Sequence, residues 1–359
     1  MPWQFKYTGC FLRRVVYNKI GPGCMHPQNT WIGVNCPGPL KIMKKLKIKK
    51  NVSLKDYSAF KIGGKVKYFL IAKNKEEIIQ GIKWAKEKKL PFFVIGNASN
   101  ILFEDKKKDA LIIKIANQEI QFLKNNLVYV GAGAPASLLI KKAKEKSLSG
   151  LEWAFLIPAT LGGMIYMNAS AFSKKISDFI KEVEVYDSKK DEIFYLKKEE
   201  CQFGYKESIF QKKKNLIILG AILKLKKQKK EEIEKKLKEF LKKRKESQPL
   251  NFPSLGCIFK NVKVDKNIKE KIKKQKLDLK FPELKEFLKK KEIPAGYLID
   301  KAGLKGKTIG GAKVSEKHAN FIINFKNAKT KDVKKLIKKI KERVKEIFKI
   351  ELEEEIQFF

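Results

Sequence analysis

Five segments of the chain carry residue types that could do chemistry. Residues 94–105, VIGNASNILFED, leave an apolar run through Gly96, Asn97, Ala98, Ser99 and Asn100. A turn with so little side-chain bulk exposes backbone N–H groups, which can cradle a phosphate; an ordinary loop has the same composition. Residues 156–172, LIPATLGGMIYMNASAF, place Gly162 and Gly163 where backbone could approach a ligand, and set Asn168 and Ser170 in apolar surroundings. This suits a flat aromatic ligand with a polar edge, or a tightly packed turn. In FPSLGCIFKN, residues 252–261, Cys257 follows Gly256 at the end of a turn. Its thiol is a candidate nucleophile or proton donor, and equally a small buried hydrophobe. The glycine-rich stretch 294–324 ends near His318 and Asn320, and the other histidine, His26, is remote in sequence, so zinc chemistry is not expected. The acidic run 351–359, ELEEEIQFF, reads as a strand whose strict alternation puts Glu354 on the apolar face and Glu353 and Glu355 on the other.

These segments need a scaffold, and the composition bounds it. The chain has 359 residues, 43% of them apolar, enough for two or three domains with real cores. There are 81 basic and 39 acidic residues, a formal charge of +42. Arg occurs only at Arg13, Arg14, Arg244 and Arg343, and the lysines are spread along the chain. Arg is the preferred reader of phosphates and bases, so solvated Lys faces are expected rather than nucleic-acid binding. A charged groove for a small anion remains compatible. No apolar run is long enough to cross a bilayer, and five scattered Cys form no disulfide framework. VGAG, residues 130–133, lacks the rest of a dinucleotide fingerprint, so no Rossmann site is expected.

Residues 1–42 differ from the rest, with three Cys, two Trp and recurrent Pro and Gly, and no periodicity. We expect the functional protein to begin at Met43. From there strands are expected at 66–72, 91–96, 110–115, 126–133, 181–196 (two around a turn) and 215–225. Asn74 should cap a helix with Glu77 at its capping-box position. Further helices are expected at 136–146 and 228–246, and after Thr330, taken as a cap, with Val333, Leu336, Ile337, Ile340, Val344 and Ile347 on one face.

Taken in order, SAFKIGG, VIGNASNILF, IPATLGGMIYMNASAF, CQFGYKESIF, PSLGCIFKN, AGYLIDKAGLKGKTIGGAKVSEKHANFIIN and ELEEEI resemble the UDP-N-acetylenolpyruvoylglucosamine reductase family, from about Val52 to Phe359. The resemblance implies an α+β protein: a vanillyl-alcohol-oxidase/PCMH-type FAD-binding fold in two subdomains, 43–108 (with 350–359) and 109–226, and a C-terminal α+β substrate domain, 227–349. It implies noncovalent FAD, NADPH as hydride donor, a UDP-sugar substrate and a cytoplasmic location, with no nucleic-acid or membrane partner. It says nothing of oligomeric state. The chain looks like the family type that lacks a Tyr-bearing substrate loop.

By position in the family's motifs, Cys257 stands where the family has a proton-donating Ser, Glu355 falls on its C-terminal glutamate, and Lys206 replaces its enolate-stabilising Arg. A thiol, with a pKa of about 8.5, is a better acid than an alcohol, whereas Lys206 keeps a charge but loses bidentate recognition. The resemblance further implies that Ile62, Gly96, Asn97, Ala98, Ser99, Asn100, Gly162, Gly163 and Asn168 face FAD. Tyr205, Ser208, Lys260, Asn261, His318 and Asn320 would face substrate. Ala98, Ala159 and Ser170 stand where the family prefers Gly; such a change is costly where φ is positive. Another FAD oxidoreductase of this fold, or a flavin-binding paralogue with impaired catalysis, would share most of these features.

Overall fold

A computed structural model of the chain describes residues 46–359. The atypical 1–42 segment and the expected start at Met43 lie outside the described residues. Three sheets organise the described chain.

In the first, Lys65–Ala72, Lys108–Ile115 and Phe92–Ile95 run parallel, and Lys49–Ser53 adds an antiparallel edge. The helix Lys75–Glu87 makes the crossover. Asn74 Oδ1 accepts from Glu77 N at 2.8 Å, the cap its sequence predicts, while the Glu77 carboxylate reaches past the expected capping-box partner and accepts from Lys73 N at 2.7 Å. Ile78, Ile82 and Ala85 are fully buried, the face that four-residue spacing requires. The expected boundary between 108 and 109 is corrected here: it falls inside Lys108–Ile115, a central strand of this sheet.

The second sheet is antiparallel. Ile180–Asp187 pairs with Glu192–Lys197 on one side and Leu216–Lys224 on the other, and Leu127–Gly131 and Ile120–Phe122 complete it. The helices Ala136–Glu145 and Lys230–Ser247 pack on this half.

The third sheet joins Ser254–Cys257, Phe321–Asn324, Ala312–Val314 and Thr308–Ile309. The helix Thr330–Phe348 buries Val333, Leu336, Ile337, Ile340 and Val344 against it. Thr330 does not cap this helix; Asp332 Oδ2 accepts from Lys329 N at 3.0 Å, and the Thr330 hydroxyl donates to Phe103 O at 2.5 Å. Short helices between 266 and 290 bury Ile272, Leu277 and Leu284 in the same core.

The C-terminus returns to the first half, where Gln357–Phe358 pairs in parallel with Ile101–Leu102. Residues 351–356 are not a regular strand, so alternation does not govern which glutamate turns inward. No helix among the described residues is long and apolar enough to cross a membrane.

Candidate active site

A cleft of about 1570 Å³ is walled by residues from all three parts of the described chain. The 96–100 loop forms one wall. Gly96 is required there, because a Cβ would lie 2.3 Å from Thr160 Oγ1. Lys114 Nζ donates to Gly96 O at 2.9 Å and to Asn97 Oδ1 at 3.0 Å, pinning the turn from behind. The backbone N–H groups of Asn97, Ala98 and Ser99 find no acceptor among the described residues. Three consecutive free donors in a cleft wall are what an anionic group such as a pyrophosphate needs.

Against this loop lies the start of the helix Leu161–Tyr166, capped by Thr160, whose Oγ1 accepts from Gly163 N at 3.4 Å. A Cβ on Gly162 would press on Ala132 at 3.0 Å, whereas one on Gly163 would meet only Thr160 Oγ1, at 3.6 Å. Gly163 therefore keeps open a space that the protein itself does not use. The free amides of the 96–100 loop, beside a glycine that leaves the cleft clear, fit a flavin dinucleotide.

The second cluster lies where the Gly204–Ser208 turn meets the C-terminal segment. Gly204 N donates to Glu207 O at 3.0 Å, and Lys206 sits inside this tight turn at φ +59°. Lys206 Nζ is 2.8 Å from Glu355 Oε1, and both side chains are nearly buried, at 13% and 15% exposure. Cys257 shares the cleft wall with them. It follows Gly256, whose φ of +78° favours glycine, and pairs with Phe321 across the sheet. Burial, with the Glu355 carboxylate second, pushes the Cys257 thiol up to about 12, against the opposing pull of Lys206 and Asn320. The sulfur thus stays protonated at neutral pH, as an acid must.

The C-terminal-domain profile of the UDP-N-acetylenolpyruvoylglucosamine reductases matches residues 248–359, and an FAD binding domain profile matches residues 66–194. The reductase of that name from Fervidobacterium nodosum is 39% identical over 86% of this chain and 91% of its own length. The one from Caldanaerobacter subterraneus is 37% identical over 88% and 95%. The chain belongs to the UDP-N-acetylenolpyruvoylglucosamine reductase family. The crystal structure of the Thermus caldophilus enzyme of this family superposes with a TM-score of 0.69 at 31% identity, covering 88% of this chain and all of that one. The chain is thus an FAD-dependent oxidoreductase with an α+β fold, its FAD-binding part preceding the family's C-terminal domain.

Within this reductase-family site the expected residues separate into two sets. Gly96, Asn97, Ala98, Ser99, Asn100, Gly162, Gly163, Tyr205, Lys206, Asn261, Cys257, His318 and Glu355 all line the cleft. Tyr205 Oη accepts from Asn261 N at 3.2 Å, and burial raises this phenol to about 12. Asn261 is held by Glu292 and Ala295, at 3.0 and 3.2 Å. Burial lowers the pKa of His318, whose Nδ1 accepts from Asn320 N at 3.3 Å, so the ring is a neutral wall residue.

The other five stand behind the wall. Ile62 is 2% exposed in the third core. Asn168 donates from Nδ2 to Gly204 O at 2.7 Å, steadying the turn that carries Lys206. The Ser208 hydroxyl donates to Tyr166 O at 2.7 Å. Lys260 turns to Glu353 at 2.6 Å. Asn320 exchanges two bonds with the backbone of Phe259, at 3.0 and 2.8 Å, and so fixes the strand just beyond Cys257. None of these five is part of the cleft lining: Asn168, Ser208, Lys260 and Asn320 turn side-chain polar atoms to partners within the protein, and Ile62 has only its backbone to offer, so the direct contacts with FAD or substrate expected of them are not seen in the wall itself.

Of the three positions where the family prefers Gly, Ala98 alone has positive φ, +47°. Sequence reasoning missed Thr160, Lys114 and Arg244. Thr160 and Lys114 act on backbone far away in sequence and carry no local signal. Arg244 had one, as a rare guanidinium in a lysine chain.

Proposed function

We propose that the chain uses NADPH to reduce UDP-N-acetylglucosamine enolpyruvate to UDP-N-acetylmuramate, a step of peptidoglycan precursor synthesis in the cytoplasm. The observation that carries this reading is the Lys206–Glu355–Cys257 cluster in the wall of a cleft whose glycine loops fit FAD. FAD, when bound, would supply the chemistry of hydride transfer between NADPH and the terminal methylene of the enolpyruvyl group.

The protein's residues then manage charge and one proton. Negative charge develops on the adjoining carbon and its carboxylate. Lys206 Nζ supplies the cation in a nearly dry site, where one such contact is worth several kcal/mol, on the order of 3. Glu355, paired with Lys206 at 2.8 Å, fixes that ammonium. Cys257 Sγ gives its proton to the carbon, completing net addition of two hydrogens across the double bond. The thiolate left behind faces Lys206, and solvent returns its proton.

The test is substrate-dependent NADPH oxidation by the purified chain, with the product identified by mass as substrate plus two hydrogens. NADPH oxidation at the same rate with and without the enolpyruvyl substrate would reject the reading in favour of another flavin oxidoreductase.

A further inference from the structure

Arg244 is the exception in a chain whose basic residues are almost all lysine. Arg343, on the last helix, pairs with exposed Glu346 at 2.8 Å. Arg244 instead is 5% exposed, sits in the last turn of Lys230–Ser247, and forms part of the cleft wall with Gln248 and Cys257. Its Nη2 donates to Trp153 O at 3.2 Å and its Nη1 to Gln248 Oε1 at 3.1 Å, while the Phe172 ring lies 5.4 Å from its Cζ. Both hydrogen-bond acceptors are uncharged, and Nε has no partner among the described residues.

These contacts set the plane of the guanidinium without neutralising it. A permanent charge buried against neutral acceptors is costly unless an anion completes the site. Lys206, the other nearly buried cation of this wall, is already matched by Glu355. The remaining guanidinium donors suit a planar anion with two in-plane acceptors, a match that an ammonium cannot make. This explains an arginine kept in a chain that uses lysine even at 206.

We propose that Arg244 is an anion-binding residue of the reacting end. Its planar fork receives a delocalised anion, either the carboxylate of the substrate or the N–C=O edge of the reduced flavin ring. The inference rests on the reading above, that FAD and a carboxylate-bearing substrate share this cleft.

Arg244→Gln and Arg244→Lys in the full chain test it, with bound FAD checked by absorbance. Two quantities are measured: the midpoint potential of bound FAD without substrate, and the Kd of the enolpyruvyl substrate on the oxidised protein. A lowered potential would identify the flavin as the anion. A Kd raised about tenfold or more, the scale of one charge-assisted hydrogen bond, would identify the carboxylate. Gln should act more strongly than Lys. Wild-type potential and Kd in the variants would overturn the proposal. If the Gln protein does not hold FAD, the Lys protein decides, since it keeps the charge and lacks the fork. Failure of the unmodified chain to bind the substrate or accept electrons from NADPH would instead reject the functional reading.

Discussion

At the scale of residues, the proposed reaction depends on keeping one proton on sulfur and one charge in place. Cys257→Ala should leave flavin reduction by NADPH intact and slow flavin reoxidation by substrate by about 10²–10⁴-fold, the usual contribution of a positioned acid. Stopped-flow absorbance separates the two half-reactions, and normal reoxidation in this variant would remove Cys257 from the mechanism. The pH dependence has a definite sign. As the proposed acid Cys257 acts in its protonated form, and burial pushes its thiol up to about 12. Reoxidation should therefore stay flat through pH 8–9, where an ordinary thiol of about 8.5 would already lose its proton. Lys206→Met should cost about 10²–10³-fold in the same half-reaction, as loss of one charge-stabilising donor does elsewhere, with Lys206→Arg largely restoring it.

At the scale of elements, two glycines that look equivalent in sequence have different jobs. A Cβ at Gly96 would collide with Thr160 Oγ1 at 2.3 Å, while one at Gly163 has room. Gly96→Ala should lower the stability of the flavin-free protein by about 1–3 kcal/mol through overpacking, measured by urea unfolding. Gly163→Val should leave that stability nearly unchanged and weaken FAD binding, measured by flavin fluorescence. Equal effects on both quantities in both variants would contradict this division. The elements themselves were largely legible, because their causes are local. Asn74 and Glu77 announce their helix by capping, and the last helix announces itself by its apolar face. Thr330 misleads because its hydroxyl is drawn away to Phe103, 227 residues distant. The 351–356 segment misleads because its shape comes from bonds such as Glu355 N to Ile258 O, at 2.7 Å, and not from a ladder.

At the scale of the whole molecule, the C-terminus is what closes the site. Asn100 Nδ2 donates to Glu355 O at 3.0 Å, Gln357 N donates to Asn100 O at 2.9 Å, and Phe359 packs on Phe93 at 4.4 Å between ring centroids. The last residues thus tie the expected phosphate loop to the glutamate that holds Lys206. Deleting Gln357–Phe359 should cost about 2–4 kcal/mol through the lost aromatic packing and should weaken FAD binding as well. Wild-type flavin affinity in the truncated protein would show that the two regions are not coupled. The same long-range closure explains why the site was only partly legible. The segments with unusual composition, 94–105, 156–172 and 252–261, do meet in one cleft. Which residues face it, and which brace it from behind, depends on contacts such as Asn168 to Gly204 and Asn320 to Phe259 that no spacing encodes. In the proposed reaction electrons pass from NADPH through this cleft to an enolpyruvyl sugar. It is tested most directly by reducing the FAD-loaded protein anaerobically with one equivalent of NADPH and adding UDP-N-acetylglucosamine enolpyruvate. The oxidised flavin spectrum should return rapidly; a flavin that bleaches with NADPH and stays bleached after the substrate is added would rule this reaction out.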